Sequence, residues 1–284
     1  MPGINRTGKP DTRDIFLGRG RVYLASLDST TQRPTHFRHV GNSTAFSMNV
    51  ESEKLEHQNS RSGVKAIDRE ITLSQKVGVT LTLDEVLNAE NLAYFFSGTA
   101  SKDVTNSATG ATLTDILIHA DALKTRSYEL VNSSGGRLYD IATGGLVVKS
   151  GSGAVGSAST LTAGTDYEID AKWGMIFLTG TGAHVDGNNL WFSYTSPGGE
   201  KTVDQVTMLT QSKQSVFLRF VGINPANSDK EVLLDLHSVS LSADGELPMI
   251  GEEFATLSLV GVAERNETGY PTAPVGRIYF HEDA

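Results

Sequence analysis

Between Glu70 and Asp84 the chain alternates apolar and polar residues with a period of two. Ile71, Leu73, Val77, Val79, Leu81 and Leu83 fall on odd positions, and Glu70, Thr72, Ser74, Lys76, Thr80, Thr82 and Asp84 on even ones. That period predicts a strand with one apolar face. At ~3.3 Å per residue it extends about 50 Å, where ordinary strands have about 5–6 residues. Gln75 and Gly78 break the alternation, and Gly78 is the expected place for a bulge. Upstream, Phe46, Met48 and Val50 alternate with Ser47, Asn49 and Glu51, predicting a second strand. The intervening "EKLEHQNSRSGVKAID" (Glu53–Asp68) reads as a polar hairpin loop, far longer than the roughly two to five residues such a loop needs.

Downstream, Asn88 predicts the cap of a short helix. Leu92, Phe95 and Phe96 form its apolar face, and Gly98 ends it. The segment from Thr99 reads as a Ser/Thr/Ala-rich connector. After it come strand-like "RSYELV", "RLYDIA" and "GLVVKS", a Gly/Ser tract, and "DYEID", "KWGMIFLTG" and "NNLWFSYT". "VDGNN" predicts a hairpin turn between the last two. Longer strands return in "KTVDQVTML", "QSVFLRFVGI", "KEVLLDLHSVSLSA" and "FATLSLVGVAE", with a helical turn expected in "GELPMIGEEF" and a last strand in "VGRIYF". The organisation expected is a flexible arm over residues 1–14, a core over 15–98 and 201–284, and a β-rich insertion over 99–200. The class is mainly β.

Composition narrows the function. The 284 residues carry a net charge of −9 and no cysteine, so disulfides and thiolate metal sites are excluded. No stripe of Lys and Arg suits tight binding to phosphates. No run reaches the ~18 apolar residues of a membrane span, so no membrane partner is expected.

Chemistry is sparse. The seven histidines form no metal-binding motif, and His36 and His39, three apart on an extended segment, face opposite ways. Asp166, Glu168 and Asp170 would share one strand face, ~6.5–7 Å apart, too far to hold one calcium ion on a straight strand. No nucleophile elbow or phosphate loop occurs. No enzymatic activity and no cofactor are expected. Trp173 and Trp191 are candidates for a carbohydrate-stacking surface.

A long strand with one apolar face needs cover beyond what a small sandwich provides, which points to assembly. The run "VGNSTAFSMNVESEKLEHQNSRSGVKAIDREITLSQKVGVTLTLDEVLNAENLAYFFSG" resembles the N-terminal half of tail tube proteins of long-tailed bacteriophages. "TDYEIDAKWGMIFL", "VDGNNLWFSYT" and "FLRFVGINPANSDKEVLLDLHSVSLSADGELPMIGEEFATLSLVGV" are similar to later parts of that family. The resemblance covers most of residues 15–281. It implies a β-sandwich or barrel with one flanking helix, assembled as hexameric rings stacked into the virion tail, and built in the host bacterial cytoplasm. The tube would conduct double-stranded DNA without binding it specifically. Tape-measure, tail-terminator and distal tail proteins are the further partners expected. In this reading Glu53, Lys54, Glu56, His57, Arg61, Lys65 and Asp68 contact the adjacent ring. Glu70, Thr72, Ser74, Lys76, Thr80, Thr82 and Asp84 line the lumen, with Lys76 free to pair across a subunit boundary. The alternative is a non-polymerising β-sandwich adhesin or carbohydrate-binding module.

Overall fold

A computed structural model describes residues 16–59, 63, 65–105, 112–198, 201–225 and 230–280. The expected arm over 1–14 and Arg61 lie outside the described residues. The protein is mainly β, with antiparallel sheets and one α-helix among the described residues. In chain order the elements are β1 (Arg19–Ser26), β2 (Arg38–His39), β3 (Ser43–Asn59), β4 (Ala66–Leu83) and α1 (Ala89–Phe95). There follow β5 (Ala100–Thr105), β6 (Thr112–Ala122), β7 (Ser127–Glu129), β8 (Leu146–Gly151), β9 (Ser159–Leu161), β10 (Tyr167–Asp170), β11 (Met175–Leu178), β12 (Asn188–Thr195) and β13 (Lys201–Val206). The last four are β14 (Ser215–Asn224), β15 (Lys230–Ala243), β16 (Leu257–Ala263) and β17 (Gly276–Phe280). The chain divides into two compact units, one comprising residues up to Ala100 and from Val206 onward, the other Ser101–Gln205.

The first unit is a single eight-stranded sheet in the order β2-β1-β14-β15-β16-β4-β3. β17 pairs with the first half of β15, beside which β16 takes the second half. The alternating residues of these strands turn one face inward. Val22 and Leu24, Val79, Leu81 and Leu83, Leu218, Leu234, Leu236, Val239, Leu257 and Leu259 form one buried cluster. Each such side chain contributes about 1.5–3 kcal/mol by leaving water. A sheet with one buried face must curl around it, and it does: Phe46 of the edge strand β3 stacks on Phe220 of β14, centroids 5.5 Å apart.

Helix α1 packs on β15 and β16. Asn88 caps it, its Oδ1 accepting from the Glu90 and Asn91 amides at 3.1 and 3.2 Å. The helix ends at Phe96 through Ser97, whose φ is +47°, while the Gly98 amide donates back to Ala93 O at 2.9 Å. The left-handed residue expected at Gly98 is therefore Ser97. Gly98 meets a different need, since a Cβ there would lie 1.6 Å from Thr207 O. Asn91, fully buried, anchors the helix by donating to Val40 O and Glu85 O and accepting from Arg38.

β15 is buried on both faces at its centre. On its outer side Arg219 holds Asp235 in two hydrogen bonds of 2.6 and 2.8 Å and lies over the Phe37 ring. His237 stacks on Tyr270, centroids 3.6 Å apart, with Nδ1 unpartnered.

The second unit has a three-stranded sheet, β10-β11-β7, and a four-stranded sheet, β6-β12-β8-β9. They share a core that includes Leu130, Val148, Ile176, Leu178, Phe192 and Tyr194. Three expectations change here. The connector from Thr99 forms β5 and β6, because Thr-rich alternation suits a strand and Ile116 and Ile118 pack on the core. "RLYDIA" is not a strand, its Arg137 making only an isolated bridge to Val131. "VDGNN" does not close a hairpin, since β11 and β12 belong to different sheets. Its turn docks on β6 instead, with Gly187 N donating to Ala122 O and Asp186 accepting from the Lys124 amide.

Burial holds the His237 imidazole below its ordinary value of 6.5. Unfolding frees it to bind a proton, so its neutral burial favours the fold above pH 6.5 and opposes it as the pH falls below. Urea titrations at pH 7.5 and 5.5 are expected to show His237→Phe losing less stability than the wild type on acidification. Equal losses would contradict this.

Candidate assembly surface

The Glu53–Asp68 segment is not the long loop its polarity suggested. β3 and β4 stay paired from Phe46 opposite Leu81 to Asn59 opposite Ala66, so Glu53, Lys54, Glu56 and His57 are strand residues of β3 and Asp68 of β4. Lys65 is an exposed residue just before β4. The pairing persists because the polar residues meet partners across the ladder. Two register shifts, at Glu53/Lys54 and His57/Gln58, absorb the irregular pattern. No bulge occurs at Gly78, which stays in register with Asn49 and leaves room for the Asn49 side chain.

β16 pairs with β4 only from Val77 to Leu83. From Lys76 back to Ala66, β4 has only β3 beside it among the described residues. The eleven positions 66–76 make a two-stranded ribbon reaching roughly 35 Å past the sheet. Such a ribbon is marginal in water by itself.

Ion pairs tie the two strands on both faces: Lys76 Nζ lies 2.8 Å from Glu51 on one, and Lys54 Nζ 2.6 Å from Glu70 on the other. Ser74 Oγ donates to Glu53 at 3.2 Å. The Lys76 bond, helped by one from Asn49, holds the Glu51 carboxyl below its ordinary range, and the same pairing raises Lys76. Glu70 likewise raises Lys54. His57 and Asp68 are paired near the tip. The register shift at Glu53/Lys54 inserts Leu73 into β4 and exchanges its faces. Val50 therefore stays on the face that continues the core, while Leu55 and Ile71 stand on the face of Glu51 and Lys76. Val50 is 70% exposed, Leu55 57%, Ile71 51% and Leu73 56%. Core-type residues here stand in water.

Residues 15–277 match the family described as Protein of unknown function UCP028589. The chain belongs to that family. No curated protein matches it.

In this family member, the positions expected to line a lumen divide between two faces: Ser74, Lys76, Thr80 and Thr82 lie on one side of β4, and Glu70 and Thr72, beyond the register shift, on the other. Glu70, Thr72, Ser74 and Lys76 are exposed, and Thr80 and Thr82 are half-buried with their backs to the core. Asp84 follows the strand and accepts from Asn42. Lys76 is not left for a neighbouring subunit, because Glu51 of its own hairpin already binds it. The charges expected to set contacts between copies are in the same position: Lys54 is paired with Glu70, and His57 with Asp68. What sequence reasoning missed is the exposed apolar pair of Leu55 and Ile71. Its signal was present, since Leu55 falls opposite Ile71 once the segment is read as strand.

The other candidates separate. His36 bonds with Thr35 and His39 accepts from the Gly41 amide. Asp166 precedes β10 and accepts from the Thr162 and Ala183 amides, each at 2.7 Å, while Glu168 and Asp170 are exposed on the strand. The three carboxylates therefore do not share a strand face. No group of three or more His, Asp or Glu residues is placed to hold a metal among the described residues. Trp191 is buried and cannot stack on a sugar; Trp173 is half-exposed, edge-on to Tyr139. No helix among the described residues is long and apolar enough to cross a membrane.

Glu51→Lys sets like charges opposite one another at Lys76 and is expected to speed amide exchange in residues 67–76 several-fold. Adding Lys76→Glu restores the protection. Equal exchange in the single and double variants would show that the pair does not hold the ribbon.

Proposed function

We propose that the chain is a self-assembling structural protein, the tail tube subunit of a long-tailed bacteriophage. The observation carrying this reading is the projecting β3–β4 ribbon with exposed apolar side chains along it, the cross-strand pair Leu55 and Ile71 with Leu73 beside it, and Val50 on the opposite face. An apolar strip on a marginal ribbon is stabilised when a second surface excludes its water, and the closest source of such a surface is another copy. The charge pairing supports the conduit. Lys54 and Lys76 are each paired with a carboxylate within the ribbon, so they offer no row of free cations for phosphates to grip. DNA passing such a wall is neither bound nor strongly repelled.

In this account copies close into stacked hexameric rings, the ribbon of one ring crosses to the next, and Ser74, Lys76, Thr80 and Thr82 face the channel. Tape-measure, terminator and distal tail proteins set length and ends. The adhesin reading loses one of its two stacking rings, since Trp191 is buried.

Light scattering after size exclusion, with negative-stain microscopy of the concentrated protein, tests the proposal. The wild type is expected to form rings or hollow tubes with a lumen wide enough for duplex DNA. The Leu55→Ser, Ile71→Ser variant is expected to remain a folded monomer at ten-fold higher concentration. Equal assembly by the variant, or a wild type that stays monomeric throughout, contradicts it.

A further inference from the structure

The first unit carries an apolar projection and an apolar recess, and neither is covered by the described residues. The projection is the loop between β15 and β16. The helical turn expected in "GELPMIGEEF" does not form; Gly245 adopts φ +87°, Pro248 interrupts the segment, and the loop stands out irregularly. Met249 is 80% exposed, Ile250 97%, and Phe254 102%, as open as in an extended peptide. Glu246, Glu252 and Glu253 flank them, exposed and without an ion pair.

The recess is a hollow of about 770 Å³ where the curled sheet fails to close between β3 and the strands β1 and β17. Phe16, Phe46, Met48, Phe220, Ile278 and Phe280 line it, with Arg19 at its edge and Arg21 on the same strand. Neither arginine has an ion-pair partner among the described residues. The outer edge of β3 and that of β17 border it without a strand partner among the described residues, so backbone groups as well as apolar side chains are open to an occupant.

We propose that the β15–β16 loop of one copy seats in this recess of a second copy, with Ile250 and Phe254 as anchors. Glu246, Glu252 and Glu253 then meet Arg19 and Arg21. The occupant is a second copy because the loop offers what the recess lacks, apolar bulk and negative charge, and its side chains lie in water outside their own recess. Loop and recess are different surfaces, so the contact is heterologous. Each copy gives one and receives one, which closes a ring or extends a filament. The inference rests on the assembly reading and names a contact distinct from the ribbon.

The chain has no cysteine, so single-cysteine variants report contacts cleanly. An Ile250→Cys variant is mixed with a Met48→Cys variant at assembling concentration and treated with a short bis-maleimide. The expected result is a covalent heterodimer formed at least ten-fold faster than either variant cross-links to itself. Glu252→Lys with Glu253→Lys is expected to slow it several-fold. Tubes without a preferred heterodimer overturn this contact and leave the assembly reading standing. A preferred heterodimer without tubes supports the contact and removes the tube. Neither product at any concentration overturns both.

Discussion

A two-stranded ribbon cannot bury an apolar face by itself, and this constraint governs the rest of the molecule. At its base, β4 is flanked by β16 and β3, and Val79, Leu81 and Leu83 enter the core. Beyond Val77 the third strand stops while the apolar alternation continues. The same residue pattern that specifies a core position near the sheet specifies an unfilled contact further out. Cross-strand ion pairs on its two faces keep the ribbon in register, but they leave Leu55 and Ile71 exposed.

The curled sheet shows the same incompleteness at its seam. Phe46 reaches Phe220 across the gap, yet among the described residues the outer edges of β3 and β17 have no strand partner. Long open edges invite further strands or chains. The projecting ribbon, the open seam and the fully exposed Phe254 are the features on which the proposed assembly rests. The well-satisfied buried polar groups, Asn91 and the Arg219–Asp235 pair among them, fix one geometry for presenting these surfaces.

Much of the architecture was legible from alternation alone. The long strand ending at Leu83, the Asn88 cap and the strands of the final third follow directly from residue pattern, because period and capping chemistry are local. What failed was non-local. Glu53 to Asp68 looked like loop because its charges were counted as solvated, whereas they find partners across the ladder that a linear reading does not display. The turn at Asp186–Gly187 was correctly a turn but closed onto β6, since turn chemistry fixes a chain reversal and not the strand that receives it. Thr112–Ala122 was hidden by its Thr and Ala content, although Ile116 and Ile118 supply its buried side. For the assembly surface, polarity pointed to the charged residues, while the structure leaves the interspersed aliphatics uncovered.

The central claim is that another copy covers the exposed apolar side chains of the ribbon. Leu55→Cys, in a chain with no other thiol, places a reporter among them. Its reaction rate with a water-soluble maleimide, measured in dilute monomer and in assembled particles, is the direct test. The account predicts at least a ten-fold slowing on assembly. A thiol that reacts equally fast in both states would show that this position stays in water and that assembly, if it occurs, uses another surface.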